Sequence, residues 1–168
     1  MLNARRLAAL LPFLCLAAAP LRVSAGPVDL DAGLRASIYD DNYNLGVGGE
    51  LGLVFPSASA WDFGLHLNYS HFDSKVPEIL KDLSEYGGYA AAYFKPTMNQ
   101  AFSMRLGPHL GYAYIAVHYV DVGGDAVVLF KATPSLTFYS AFIPSFMIGK
   151  DGQTLVRIGL GLEYNAGR

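Results

Sequence analysis

In six segments between residues 28 and 164 the chain alternates apolar residues with polar or very small ones at a period of two, and only 121–149 is less regular. Such a period puts successive side chains on opposite faces of a strand, and no helix can keep it. Val28, Leu30, Ala32, Leu34, Ala36 and Ile38 fall on one face of the first segment; Asp29, Asp31, Gly33, Arg35, Ser37 and Tyr39 fall on the other. Leu45 to Phe55 sets Val47, Leu51 and Leu53 against Gly48, Glu50 and Gly52. Trp61, Phe63, Leu65, Leu67 and Tyr69 oppose Asp62, Gly64, His66, Asn68 and Ser70. The same alternation recurs at about 84–95, 101–118 and 153–164. Thr133-Pro134-Ser135 breaks the stretch between 121 and 149 into strands near 124–132 and 136–148. With that break the count is eight, an even number that can close as an antiparallel barrel; without it the count is seven, which cannot. Pro144 sits inside one of these strands although proline gives a ladder no donor.

Composition narrows the chemistry. Of 168 residues, 52% are hydrophobic and 15% charged, so the chain can bury a core and is not disordered. The net charge of −2, without a lysine–arginine cluster, argues against a nucleic-acid partner. The one cysteine, Cys15, excludes a disulfide framework and a cysteine-based zinc site.

Residues 1–25 read as an export signal. Arg5 and Arg6 precede an uncharged run from Leu7 to Leu21, and Val23-Ser24-Ala25 ends it with small residues at the expected cut. The run is shorter than the roughly 20 residues a membrane-spanning helix needs. Cleavage there removes three arginines. Nine basic and fourteen acidic residues remain, a net charge of −5 for a single domain over 26–168.

The connectors differ at the two ends. Segments 56–60, 96–100 and 133–135 are short and uncharged. Asp40 to Tyr43, the 72–83 stretch, Val120 to Asp125 and Gly149 to Gly152 hold most of the loop charge. The 72–83 stretch has the spacing of a helical turn. Short turns at one end and charged loops at the other is the arrangement of a membrane barrel.

An alternating barrel has two ways to face its solvent. A soluble lipocalin-like barrel would turn its apolar faces inward around a ligand, and a membrane barrel turns them out. The polar faces here are glycine-rich with isolated charges of both signs, which suits a narrow, filled lumen. Arg35, Glu50, His66, Arg105, His109, Arg157 and Glu163 all take the inward parity. Their expected role is a network of paired charges plugging the interior, because an eight-stranded barrel is just wide enough for side chains to fill. The outward aromatics gather at strand ends as two interfacial girdles. Phe55, Trp61, Phe94, Phe102 and Tyr164 mark one end; Tyr69, Tyr86 and Tyr114, with Tyr39, Tyr43 and Tyr119, mark the other.

The signal, the eight alternating strands and the terminal aromatic strand resemble the small outer-membrane barrels of the OmpA and OmpX type. The resemblance covers residues 26–164 and implies an eight-stranded antiparallel up-and-down transmembrane barrel in a bacterial outer membrane. It implies a structural or surface-interaction role, with contacts through loops 40–44, 72–83 and 119–125. The partners it implies are outer-membrane lipid and the assembly machinery, for a chain expected to be monomeric. Family members usually end in Phe or Trp. Here Tyr164 stands four residues from the end, so either it takes that place or the assembly signal lies elsewhere in the strand.

Catalytic, cofactor and metal sites are not expected. Ser70-His71-Phe72-Asp73-Ser74 holds the residue types of a hydrolase triad, but neighbours in one strand end cannot easily form nucleophile–base–orienter geometry. A lipid-A-modifying enzyme and a narrow pore are therefore the less favoured alternatives, beside the soluble barrel. Gly46-x-Gly48-Gly49 and Gly159-x-Gly161 lie within strands and are not phosphate loops.

Overall fold

The computed structural model describes residues 28–96, 99, 101–150 and 152–165. The expected export signal at 1–25 lies outside the described residues. Eight strands follow one another: β1 (Asp29–Ile38), β2 (Gly46–Phe55), β3 (Trp61–Phe72), β4 (Leu83–Phe94), β5 (Phe102–Ile115), β6 (Val117–Lys131), β7 (Leu136–Ile148) and β8 (Gln153–Asn165). Each pairs antiparallel with the next. β1 also pairs with β8 from Asp29↔Asn165 to Ile38↔Val156, closing the barrel. Closure removes both sheet edges, so the ladders leave no edge open to another chain.

The alternation expected from sequence holds along every strand. No outward strand position among the described residues carries Asp, Glu, Lys or Arg. Leu34 is 77% exposed and Leu51 62%, and Leu65, Leu67, Phe142 and Leu160 stand out beside them. Leu34, Leu51, Leu65 and Leu110 thus line no interior cavity, which sets aside the lipocalin-like alternative. Aromatic rings pair across strands near both rims. Trp61 meets Phe94 with centroids 5.7 Å apart, Phe102 meets Phe130 at 5.0 Å, and Tyr69 meets Tyr86 at 5.1 Å. Phe55 is half-buried, Tyr114 packs on His118, and Tyr164 is exposed between Leu30 and Leu136.

Two expectations need correction. The segment 119–125 is not a loop: it lies inside β6, with Asp121 and Asp125 pointing inward. The strand expected at about 101–118 ends at Ile115, and the β5–β6 reversal is made by Ala116 alone, in the left-handed region at φ 57°. Ile115 pairs directly with Val117 across it. The charged Asp121-Val122-Gly123-Gly124-Asp125 run reads like a turn in sequence, but its aspartates find buried partners across the lumen. Tyr39, Tyr43 and Tyr119 are also not part of an outer girdle. Tyr119 is buried, and Tyr39 and Tyr43 pack against the interior cluster that contains it.

Prolines loosen two seams. The β6–β7 ladder lapses between Gly123↔Ser145 and Ala126↔Phe142, where Pro144 lies. The β4–β5 ladder lapses between Ala91↔His109 and Phe94↔Leu106, where Pro108 lies. Each proline keeps its pairing on the other side, to Val156 and Gly124 respectively. The missing donor therefore opens one seam only.

Two connectors at the β5–β6 end are long, 39–45 and 73–82, and they brace each other. Tyr43 bridges Ser74; Asn44 N donates to Asp73 O at 2.9 Å and Lys75 N to Asn42 O at 2.9 Å. The 73–82 loop contains a single turn, with Leu80 N donating to Val76 O at 2.9 Å.

Candidate functional site

The inward faces of the strands meet in a charged lumen. Eight buried carboxylates (Asp29, Asp31, Glu50, Asp62, Glu85, Asp121, Asp125, Glu163) share it with three buried guanidiniums (Arg35, Arg105, Arg157) and two imidazoles (His66, His109). Burying a charge is unfavourable unless it is paired. The register of the strands decides which pairs form.

Three groups of contacts stack along the axis. Nearest the short connectors, Arg105 pairs with Glu163, and its Nε lies 3.4 Å from Asp62 Oδ2. Lys95 Nζ donates to Asp62 Oδ1 at 2.8 Å and Asn165 Nδ2 to Glu163 Oε1 at 3.1 Å. At mid-height Arg35 pairs with Glu50, and Tyr89 OH donates to Glu50 Oε2 at 3.0 Å. The His66 ring stacks on Tyr89 with centroids 4.7 Å apart and planes 14° from parallel. Tyr93 OH donates to Asp125 Oδ2 at 2.9 Å and meets His66 Nε2 at 2.9 Å. His109 joins Asp125 through Nδ1, and its Nε2 lies 3.3 Å from Asp121 Oδ1 and 3.1 Å from Ser145 Oγ.

Toward the other end, Arg157 is wholly buried and holds two acids at once. Its Nη2 donates to Glu85 Oε1 and to Asp121 Oδ2, each at 2.7 Å. Its Nε reaches Glu85 Oε1 at 3.0 Å and its Nη1 reaches Ser145 Oγ at 2.6 Å. Asn68 Nδ2 donates to the same Glu85 oxygen at 2.7 Å. Beyond this layer lies an apolar cluster of Phe72, Ala113, Ile115, Tyr119, Met147 and Leu155, with Tyr39, Tyr43 and Leu83 packed on it. One wall of the lumen is apolar as well, built from Tyr89, Ala91, Tyr93, Val127, Leu129, Tyr139, Ala141 and Ile143.

Glycines make room for these side chains. Tyr139 lies across Gly33 and Gly161, which pair between β1 and β8; a Cβ at either would overlap the tyrosine.

All seven inward residues singled out from sequence lie in this lumen. Arg35 meets Glu50, and Arg105 meets Glu163. His66 and His109 belong to the mid-height group and are linked through Tyr93 and Asp125. Arg157 meets acids that the sequence reading left out of the network. Asp121 and Asp125 have the sequence character of a turn, which hides their inward place. Asp31, Asp62, Glu85, Tyr89 and Tyr93 take the inward parity in sequence, which does not give their partners; Tyr139 lies in the less regular 121–149 stretch.

The Ser70–Ser74 cluster is split by the strand. Ser70 points inward and meets Ser37 Oγ at 2.9 Å, while Ser74 Oγ accepts from Val76 N at 3.1 Å. His71 points outward, where Nδ1 lies 3.1 Å from Ser84 Oγ and Nε2 lies 3.5 Å from Asp73 Oδ1. This Ser84–His71–Asp73 line is open to solvent, with Asp73 72% exposed. Water competes for every contact in it, so the base is poorly oriented.

The exterior and interior together are those of an inside-out protein, apolar where solvent touches it and ionic within. The solved structures with this architecture include Neisserial surface protein A, with a TM-score of 0.61 at 13% identity over 82% of this chain and 95% of that one. The fold is that of the small outer-membrane β-barrels. Ail, the attachment invasion locus protein of Yersinia pestis, superposes with a TM-score of 0.56 at 18% identity, over 83% of this chain and 97% of that one. A major outer membrane protein from Thermus thermophilus gives 0.61 at 10% identity, over 82% and 98%. At these identities the likeness is one of fold. No family model matches the chain, and no curated protein matches it.

Proposed function

We propose that this protein is an integral outer-membrane barrel with a closed lumen, acting as a structural element and a platform for surface contacts. The observation that carries the reading is the exterior: strand after strand presents Leu, Val, Ile, Phe and Ala outward, with no carboxylate, lysine or arginine among them. In water such a surface would aggregate; in hydrocarbon it is the stable one. The aromatic pairs near both rims suit the two interfaces. Export through a cleaved signal at 1–25, a monomeric state, and recognition of the β8 end at Tyr164 by the assembly machinery belong to the same proposal.

The lumen's role in this reading is to lock the barrel rather than to conduct. Ions would have to pass both the paired charges and the apolar cluster around Phe72 and Met147. Surface contact falls to loops 39–45 and 73–82, which carry Asp40, Asp41, Asp73, Lys75, Glu78, Lys81 and Asp82. An enzymatic role is not part of the proposal.

The test is fractionation followed by a paired gel. Expressed with its leader in a diderm host, the protein should be found in the outer-membrane fraction. Its electrophoretic mobility should change on boiling. Recovery from the soluble periplasm, with one mobility, would refute the reading. Planar-bilayer recordings of the purified barrel should show no steady conductance; a steady open level would overturn the closed lumen.

A further inference from the structure

Asp31, Gly52 and His66 share one row of the barrel wall. Asp31 pairs with Gly52 across β1–β2, and Gly52 pairs with His66 across β2–β3. Glu50 is the next inward residue on β2. Because Gly52 has no side chain, Asp31 and His66 close over it from either side. A Cβ at Gly52 would overlap both Asp31 Oδ1 and His66 Nδ1.

Three donor atoms converge on this cradle. His66 Nδ1 lies 3.6 Å from Asp31 Oδ2 and 3.5 Å from Glu50 Oε1. These separations are too long for ordinary N–H···O hydrogen bonds. They fit ligands around a tetrahedral cation, since bonds of about 2.0–2.2 Å to N and O place neighbouring ligands about 3.3–3.6 Å apart. One atom from each of the three residues lies within 4.8 Å of the others.

The remaining atoms of two of these side chains are already engaged. Glu50 Oε2 receives Arg35 and Tyr89, which leaves Oε1 turned toward His66. The Tyr93 hydroxyl gives its proton to Asp125, so its oxygen accepts from His66 Nε2. A neutral His66 therefore carries its ring proton at Nε2 and presents a lone pair at Nδ1. A partner on the far ring nitrogen is how proteins fix the tautomer of a ligating histidine.

Observations away from the three ligands point the same way. The Tyr139 hydroxyl, buried and without a hydrogen-bond partner, lines the same cavity from the apolar wall. That cavity has about 20 Å³ of space, room for one water-sized ligand. The lumen as a whole holds more carboxylates than guanidiniums.

We propose that Asp31, Glu50 and His66 form a binding site for one divalent transition-metal cation of zinc's size and softness, with the cavity providing the fourth ligand position. The site revises the sequence-based expectation of no metal. It rests on the closed barrel and not on the membrane in which the barrel is proposed to sit.

The probe is cobalt(II) alone. The chain is unfolded in urea with a chelator, desalted, and refolded into detergent with cobalt(II). Folding is verified independently by the gel mobility shift. The parent should retain one equivalent after desalting and show the intense visible absorption of four-coordinate cobalt, which zinc(II) then abolishes. His66→Gln and Asp31→Asn should lose the spectrum while still folding. Gly52→Ala should lose it too, although it removes no ligand. Zinc(II) should raise the unfolding midpoint of the parent and leave that of His66→Gln unchanged. A folded parent that retains no cobalt would overturn the site, leaving His66 as a protonated partner of the two acids. A spectrum unchanged in His66→Gln would also overturn it by placing the metal elsewhere, for instance at the exposed His71, Asp73 and Asp82. If one variant does not fold, the parent's stoichiometry and the other variant still decide.

Discussion

Replacing Arg157 with Met removes the guanidinium that Glu85 and Asp121 share, 72 and 36 residues away along the chain. Both acids stay buried, and water cannot reach them as they stand. Removing one partner of a buried ion pair costs about 3–5 kcal/mol, mostly because the other charge is stranded. Here two charges lose a partner. Glu85 keeps Asn68 and Asp121 keeps His109, which limits the damage. The expected cost is therefore in the upper part of that range, about 4–5 kcal/mol. At about 1.36 kcal/mol per factor of ten, the unfolding equilibrium shifts by roughly a thousand-fold or more. The assay is a urea titration of the refolded barrel in detergent, followed by fluorescence. Trp61 is the single tryptophan and sits on the outer surface against Phe94, so it reports the loss of barrel structure. The triple change Arg157→Met, Glu85→Gln, Asp121→Asn removes the stranded charges and should recover all but about 1–2 kcal/mol. Two results would refute the reasoning: a single variant within about 1 kcal/mol of the parent, or a triple variant no more stable than the single one.

Three further outcomes are expected. Leu51→Arg, at a mid-strand outward position, should destabilise the barrel by about 2–4 kcal/mol in a lipid bilayer; an effect near zero there would count against a lipid-facing exterior. Gly161→Val puts a side chain into the space taken by the Tyr139 ring and the Ala32 carbonyl, and should cost about 1–3 kcal/mol in the same urea titration. Ser84→Ala should leave any background hydrolysis of short-chain esters by the purified barrel unchanged, whereas a turnover abolished by that substitution would establish the exposed Ser84–His71–Asp73 line as catalytic.

Much of the candidate site was visible before the fold was. Parity alone sent Arg35, Glu50, His66, Arg105, His109, Arg157 and Glu163 to one face, because a strand offers each residue only two directions. The same rule sent Leu34, Leu51, Leu65 and Leu160 to the other. It failed where local chemistry imitates a turn. Asp121 and Asp125 flank two glycines, a composition that favours reversal, and the actual reversal at Ala116 carries no such mark.

The sequence by itself determined that the chain makes strands, which residues share a face, and that the polar face is too sparse and glycine-rich for a water-exposed surface. These follow from a period of two, which is local. Only the tertiary structure decided who meets whom. Arg105 reaches Glu163 and Arg157 reaches Glu85 because closure of β1 onto β8 and the stagger of each ladder bring distant heights of the chain to one level. The Asp31–Gly52–His66 row exists because two hydrogen-bond registers align at a glycine, and Tyr119 turns inward because the single residue Ala116 separates β5 from β6 and pairs Val117 with the inward Ile115. Register and closure are set by the whole set of strand pairings at once, so no window of sequence contains them.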